Sequence, residues 1–287
     1  MTAEALAPPP APPSATPSAK RPRPGWITQL GLQLSNGWAD TRLTFHFLGE
    51  VQLGLMRLIR GKALFRISDL FWQIDQAGPR SVAIVSLVSG LVGVILAYMG
   101  AVQLQRFGAQ TYIADLVTIG AVREVAALMT GVILSGRVGA AYAAQLGSMQ
   151  ANEEIDALKA LGVDPIDYLV LPRVVALLLV APLLTAFAAL VACLAGWAVA
   201  VAVFGVQPME YLFKSLQALT LPHVLIGMFK GTVYCGLVGL AGCRQGLYAG
   251  RSAQAVGNAV TASVVQAIVW IVVAASALTI AFQRLDW

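Results

Sequence analysis

The residues best suited to chemistry in this chain form a short charged segment between two long apolar runs. It reads Ala-Asn-Glu-Glu-Ile-Asp-Ala-Leu-Lys-Ala-Leu-Gly over residues 151–162 and is followed by Asp164-Pro165. Asn152 suits the N-cap of a helix, and the acidic residues after it suit the first turn, where the helix dipole favours negative charge. Lys159 would fall in the last turn, and Gly162 would end the helix. The sequence therefore predicts a helix over residues 152–161.

The apolar residues of this segment would share one face of that helix. Ile155, Leu158 and Leu161 follow a spacing that places them together and would anchor the helix, while its acidic start would face outward. Such a helix, exposed on the water side of a membrane, suits docking to another protein. A solvated loop helix without a partner accounts for the composition equally well.

Charged residues at membrane depth form a second set of candidates. Arg137 lies within an apolar run, where a charge costs at least about 2.5–3.5 kcal/mol. It would either bond to backbone carbonyls and snorkel toward the cytoplasm, or line a cavity and meet an anionic group. Arg123 and Glu124 stand about 20 Å away along the same helix, as a surface ion pair or at a cavity entrance. Lys230 interrupts another run, and its long stem can snorkel.

Other kinds of chemistry find no support in the sequence. It contains no G-x-x-x-x-G-K-[ST], no H-E-x-x-H and no G-x-S-x-G motif. Cys193, Cys235 and Cys243 lack metal-ligand spacing, and His46 and His223 are isolated. The net charge of +5 is explained by topology and anionic lipids. We therefore predict no catalytic residue, no metal site, no cofactor and no nucleic-acid partner.

The composition predicts that these residues are positioned by helices in a bilayer. Hydrophobic residues make up 58% of the chain and charged residues 11%, far below the roughly 25% charge typical of soluble domains. The uncharged run at 174–209 would form one long helix, which Pro182 could kink. Five spans are predicted, at about 82–103, 125–147, 174–204, 223–243 and 260–282.

The basic residues predict the orientation of these spans. With the N-terminus in the cytoplasm, the inner segments hold 13 Lys and Arg residues and the outer segments hold 4. The N-terminus would therefore be cytoplasmic and the C-terminus periplasmic. Before the spans, residues 1–24 have the composition of a disordered, Pro-rich tail. Residues 25–75 would form amphipathic helices on the membrane surface, or alternatively a small soluble helical subdomain.

Small residues recur every four positions in the second span. Such rows allow helix backbones to approach closely in lipid, although Gly and Ala are also common in spans generally. We predict that this helix is central to the bundle or to a dimer. The packing residues are Gly131, Ser135, Gly139, Ala143 and Gly147, with Gly136 beginning a second row.

The chain also resembles a known family over consecutive motifs, from about residue 70 to the C-terminus. The motifs include Gly120-Ala-Val-Arg-Glu124, Ser135-Gly-Arg-Val-Gly-Ala140, Asn152-Glu-Glu-Ile-Asp-Ala-Leu158, Leu171-Pro-Arg173 and Gly250-Arg-Ser-Ala-Gln-Ala-Val-Gly257. They are similar to those of the MlaE/YrbE permeases, the membrane subunits of ABC transporters that move phospholipids or related lipids between bacterial membranes. The resemblance implies an all-α, homodimeric permease of the inner membrane. An interfacial helix would precede five spans, and residues 76–287 would form the permease domain.

The resemblance also implies partners and roles for the candidate residues. The charged helix would be the coupling helix, inserted into a cytoplasmic, MlaF-like P-loop ATPase that binds ATP and Mg. A periplasmic MCE-domain protein (MlaD-like) would exchange lipid, and a STAS-domain protein (MlaB-like) would bind the ATPase. A lipid cavity between two subunits would be bordered by Arg123, Glu124, Arg137 and Lys230. Coupling would involve Asn152, Glu153, Glu154, Ile155, Asp156, Leu158 and Lys159.

The chain departs from the family pattern at several positions. Ala127 stands where many members have a proline, so the helix break expected near the start of the second span is missing. Gln145 replaces a common Glu, and Asn258 and Ala275 replace an Arg and an Asp, which puts in doubt a transport role for that charge pair. An ion-coupled secondary transporter and a non-transporting scaffold are the alternatives. The lipid and the direction of transport are not revealed by the sequence.

Overall fold

A computed structural model describes residues 26–61, 66–108 and 112–285, and the predicted tail at 1–24 lies outside them. Every regular element in this part of the chain is a helix. Five helical segments are long and apolar enough to cross a membrane, which confirms the predicted all-α, five-span fold. These spans are Ile67–Gln105, Ile113–Ala151, Ile166–Phe204, Leu221–Leu247 and Ala253–Arg284.

The first described element is helix α1 (Trp26–Ile59), whose residues through Thr44 belong to a separate compact unit. In the second unit, Phe47 and Val51 of α1 are buried, while Phe45 and Ile59 on the same helix are exposed. Exposed apolar side chains along a helix fit a position at a lipid interface. The surface location of α1 stays a prediction.

The first span consists of two helices that meet at Gly78. They are α2 (Ile67–Ala77) and α3 (Pro79–Gln105). Pro79 stands at the first position of α3, where its missing N–H has no helical partner to lose.

The second span begins at Ile113, well before the predicted residue 125. The predicted span began after Arg123 and Glu124 because charged residues were taken to end an apolar run. The structure places both residues inside the helix. No helix break occurs, because wide π-helical turns join the three α-helical pieces. The pieces are α4 (Ile113–Gly120), α5 (Ala126–Leu134) and α6 (Ala140–Ala151), and the π-turns are Ala121–Val125 and Ser135–Gly139.

The third span is one long helix, as predicted. A π-turn at Ile166–Val170 leads into α8 (Leu171–Phe204), which contains Pro182 and ends at Gly205. Gly205 has a φ of 64°, the left-handed conformation in which glycine commonly ends helices. The short helix α7 (Glu154–Ala160) connects the second and third spans.

Three further helices complete the chain. A short amphipathic helix, α9 (Pro208–Ala218), which the sequence analysis did not identify, precedes the fourth span, α10 (Leu221–Leu247). The fifth span is α11 (Ala253–Arg284), and the Ser252 side chain caps it by accepting from the Ala255 amide at 3.2 Å.

Helix α10 is the centre of the bundle, in contact with α5, α6, α8 and α11. Its glycines allow close approach: a Cβ added at Gly242 would lie 2.6 Å from the Gly139 carbonyl oxygen, and one at Gly246 would lie 2.9 Å from that of Ala143. The row of small residues in the second span therefore lies against α10. Gly131 and Gly147 face neighbouring helices in the same way, whereas Gly136 is exposed with nothing within 4 Å of its added Cβ.

Candidate functional site

The charged helix α7 starts later than predicted. Asn152 is not its N-cap, so that prediction was wrong: Asn152 ends α6, and Glu153 occupies the position before α7 with a left-handed φ of 62°. Helix α6 continues to Ala151, and α7 follows almost at once. No residue between them has the extended conformation that an N-cap residue normally adopts. The side-chain amide of Asn152 instead donates to the Glu154 carboxylate at 3.2 Å.

Gly162 ends α7 in the predicted way. It adopts a φ of 76°, its amide donates to the Lys159 carbonyl at 3.0 Å, and the Val163 amide donates to the Leu158 carbonyl at 3.0 Å. These two bonds form a Schellman motif, in which glycine is favoured at the left-handed position. The end of α7 is therefore fixed by local sequence.

The inner face of α7 is narrower than predicted. Ile155 is fully buried in the main core, and Leu158 packs against that core from a half-buried position. Leu161 is 78% exposed, because the helix ends at Ala160 and the turn directs Leu161 away. Two apolar residues, rather than three, anchor the helix.

Two arginines hold the loop that contains α7. Arg251, just before α11, donates to Glu153 at 3.1 Å and to Asp156 at 2.7 Å. Arg57, at the end of α1, donates to Asp164 at 3.0 Å and to Asp167 at 2.8 Å. We call these contacts the arginine clamps. The acidic start of α7 faces outward as expected, with Glu153 and Glu154 exposed, and Arg251 pairs with it at the surface.

Glu154 and Lys159 complete the surface of α7. Both residues are exposed, and Lys159 lies 3.5 Å from the carboxylate of Asp156. Glu154 interacts with Asn152 on the same short segment. The free face of α7 thus presents Glu154 and Leu161 to the surroundings.

A second polar cluster links three spans. The Lys230 ammonium is completely buried and donates to the Glu124 carboxylate and, at 3.0 Å, to the Thr279 hydroxyl. Thr279 in turn donates to the other Glu124 oxygen at 3.2 Å. Arg123 Nε lies 3.9 Å from Glu124, and the ring of Phe282 lies 5.9 Å from the ammonium. We call Glu124, Lys230 and Thr279 the ion-pair cluster.

In this arrangement Lys230 does not snorkel, although its stem is long enough to do so. The ammonium finds its counter-charge inside the bundle, which offsets the cost of burial. The Glu124 side chain is 37% exposed, so one side of the cluster remains open to its surroundings. Of the predicted cavity residues, the structure brings Arg123, Glu124 and Lys230 together.

Arg137 lies elsewhere. Its guanidinium donates to the hydroxyl of Ser81, a fully buried residue at the start of α3. The partner is neither a backbone carbonyl nor an anionic group, the two alternatives weighed from the sequence. In this chain Arg137 ties the second span to the first.

Each π-turn carries a charged residue that contacts another helix. Glu124 lies in the first, Arg137 in the second and Asp167 in the third, and their partners are Lys230, Ser81 and Arg57. Such turns occur frequently at functional sites. Four partner residues could not be recognised from the sequence: Thr279, Ser81, Arg57 and Arg251. Of these, Arg251 alone lies within a quoted motif, the one at 250–257.

The fold is that of a multi-pass membrane protein: it has five apolar spans, close helix packing around α10 and a charged loop at one end. The family model described as Permease MlaE matches residues 70–281. The chain therefore belongs to the MlaE permease family, as its motifs indicated.

Individual relatives agree with this assignment. The chain is 35% identical to a probable ABC transporter permease protein of Synechocystis over 225 residues, which cover 78% of this chain and 83% of the relative. It is 33% identical to a probable ABC transporter permease protein of Rickettsia typhi, over 72% of this chain and 80% of the relative. It is 30% identical to the chloroplastic protein TRIGALACTOSYLDIACYLGLYCEROL 1 of Arabidopsis thaliana, over 77% of this chain and 62% of the relative.

Proposed function

We propose that this chain is the permease subunit of an ABC transporter that moves phospholipids or related lipids between the inner membrane and a periplasmic MCE-domain protein. ATP hydrolysis takes place on a separate cytoplasmic P-loop ATPase, which holds the ATP and Mg. The observation that carries this proposal is the clamped helix α7, with Glu154 and Leu161 exposed.

The arginine clamps suit a helix that transmits force. Arg251 connects α7 to the start of the fifth span, and Arg57 connects the following residues to α1. Ile155 anchors α7 in the core of the bundle. A partner that pushes on α7 would therefore move several membrane helices together. Glu154, on the outer side, is the residue best placed to meet a basic group of the ATPase.

A lipid substrate is supported by the ion-pair cluster and by the exposed faces of the bundle. Glu124 combines a buried counter-charge with an open side, which suits contact with a polar head group. The first and fifth spans are the least buried in a single chain, with 22% and 11% of their most apolar windows covered. A second copy covering these faces would make a homodimer with a cavity between subunits. The name of the Arabidopsis relative refers to a glycerolipid, in keeping with this substrate class.

The remaining partners follow from the proposed orientation. With the N-terminus in the cytoplasm, α7 faces the MlaF-like ATPase, and a MlaB-like STAS-domain protein binds that ATPase. The ends of the spans beside α9 then face the periplasm and a MlaD-like MCE protein. Positively charged segments on the α7 side support this orientation.

The test uses the full chain, purified in mild detergent with its ATPase. The wild type should retain the ATPase and move labelled phospholipid between vesicles on addition of ATP. Glu154→Lys should abolish ATPase binding, because it reverses the charge on the free face of α7. Glu210→Lys, an equally exposed change on α9, should bind normally. Normal binding and transport by Glu154→Lys would refute the coupling assignment.

The same experiment separates the alternatives. Transport driven by an ion gradient without ATP would favour a secondary transporter. No lipid movement with bound ATPase and ATP would contradict the lipid proposal. Mass spectrometry of the co-purified lipid would identify the substrate class.

A further inference from the structure

A cavity of about 310 Å³ lies between the second span, α8, α9 and α10. It shares no lining residue with the ion-pair cluster or with the arginine clamps. No lining residue carries a charge, and most are apolar side chains such as Leu190, Leu194 and Met228. A volume near the lower end of the roughly 300–1,000 Å³ of ligand pockets suits one narrow apolar molecule.

The cavity reaches the surface that faces lipid. Leu190 and Leu194 line it from α8 and Leu216 from α9, and these side chains are 56%, 52% and 70% exposed. All three belong to the apolar part of the bundle or to its adjacent amphipathic helix. An occupant can therefore enter sideways from the bilayer, without passing through water. A whole helix, about 10–12 Å wide with its side chains, is too large for this volume.

The wall also contains buried hydroxyl groups whose contacts are short of a full set of hydrogen bonds: Tyr211 interacts with Ser215, and Thr118 with the Cys193 thiol. The oxygens of Thr118, Thr185, Tyr211 and Ser215 are buried and make no hydrogen bond of normal geometry. Burial raises the pKa of the Tyr211 hydroxyl, so this group keeps its proton and can donate. Buried hydroxyls are usually fully bonded, so these groups can still bond to an oxygen-bearing occupant. Tyr211 and Ser215 lie on α9, at the end of the bundle, where the ester groups of membrane lipids are found.

We propose that this cavity binds one acyl chain of a membrane glycerolipid, with the ester end of that chain near Tyr211 and Ser215. The site is separate from the ion-pair cluster, and it does not depend on the proposed transport function. A lipid held here would fill the space between α8 and α9 and fix α9 against the bundle.

The test uses the purified full chain in vesicles containing a phospholipid with a photoactivatable diazirine on its acyl chain. After illumination, labelled peptides are mapped by mass spectrometry. The wild type should be labelled mainly on the cavity wall, around Leu190, Leu194 and Leu216. Leu179 and Leu183 are exposed on α8 outside the cavity. If they are labelled as strongly as the cavity wall, the proposal is overturned.

A variant whose cavity is filled by a large side chain is compared with a variant that carries the same change outside the cavity. Ala186→Trp places a large side chain in the cavity and should abolish the wall labelling. Ala198→Trp makes the same change at an exposed position of α8 outside the cavity and should leave the labelling intact. If Ala186→Trp does not fold, Leu216→Trp fills the space from the α9 side. Unchanged labelling in a folded filling variant would overturn the proposal.

The hydroxyl contact is tested by Tyr211→Phe, which removes the oxygen and keeps the ring. Retention of the labelled lipid should fall about fivefold, the usual effect of losing one neutral hydrogen bond. Equal retention would overturn the placement of the ester end. No ATPase and no ATP are present, so this outcome is independent of whether the chain transports lipid.

Discussion

Removal of the Glu124 charge should destabilise the protein more than removal of both charges of the ion-pair cluster. In Glu124→Gln, the buried Lys230 ammonium would lose its counter-charge and keep neutral partners, such as Thr279, the ring of Phe282 and the new amide oxygen. Breaking a buried ion pair from one side costs about 3–5 kcal/mol. Because the Glu124 side chain is 37% exposed, water can partly replace it, and we expect about 3 kcal/mol, the lower end of that range.

Thermal unfolding in detergent measures this effect. For a chain of this size, 1 kcal/mol shifts the Tm by about 2–4 °C, so Glu124→Gln should lower it by about 6–12 °C. The double variant Glu124→Gln/Lys230→Met removes both charges of the pair and should recover most of the loss, since uncharged replacements of a buried pair are often neutral. The matched control, Glu210→Gln on exposed α9, should change the free energy of unfolding by less than about 0.5 kcal/mol.

The double-mutant cycle determines whether the physical reasoning holds. A coupling between Glu124 and Lys230 requires that the two single changes together cost more than the double change. If the effects simply add, the two groups do not stabilise each other, and the contact has no energetic role. If Glu124→Gln melts like the wild type, the ammonium is not buried in the way described.

Two further predictions concern the loop and the packing around α10. Arg251→Glu should weaken ATPase binding in a pull-down, because it repels Glu153 and Asp156. The triple variant that also carries Glu153→Arg and Asp156→Arg should restore the order of α7, measured by hydrogen exchange, and unchanged exchange in Arg251→Glu would contradict the clamp. Gly242→Leu should lower stability by at least about 1–3 kcal/mol through overpacking, whereas Gly136→Ala, with open space, should be nearly neutral in the same melting assay. Equal melting of these two variants would refute the close helix approach.

The spans and the end of α7 could be predicted because they depend on local properties. Hydrophobic length determines whether a helix can cross the bilayer, and Gly162 provides the backbone conformation that ends α7. The small residues of the second span similarly predicted close packing. In each case the physical requirement is met within one short stretch of sequence.

The partners of the charged residues could not be predicted in this way. Lys230 lies 106 positions from Glu124, and Arg251 lies 95 positions from Asp156. The choice between snorkelling and internal pairing for Lys230 depends on which helices meet at that depth. The predicted N-cap at Asn152 was wrong for a related reason, since the start of α7 depends on where the preceding helix ends.

The π-turns accompany three of the charged residues that stand inside these spans, whereas Lys230 lies in the regular helix α10. A π-turn directs the Ala126 amide to the Ala121 carbonyl, five positions back, and so widens the helix around Arg123 and Glu124. At two of these turns the widened stretch carries a carboxylate that bonds to another helix: Glu124 to Lys230, and Asp167 to Arg57. The turn at Ile166–Val170 contains neither Gly nor Pro, so the widening there is associated with a charged contact rather than with a helix-breaking residue.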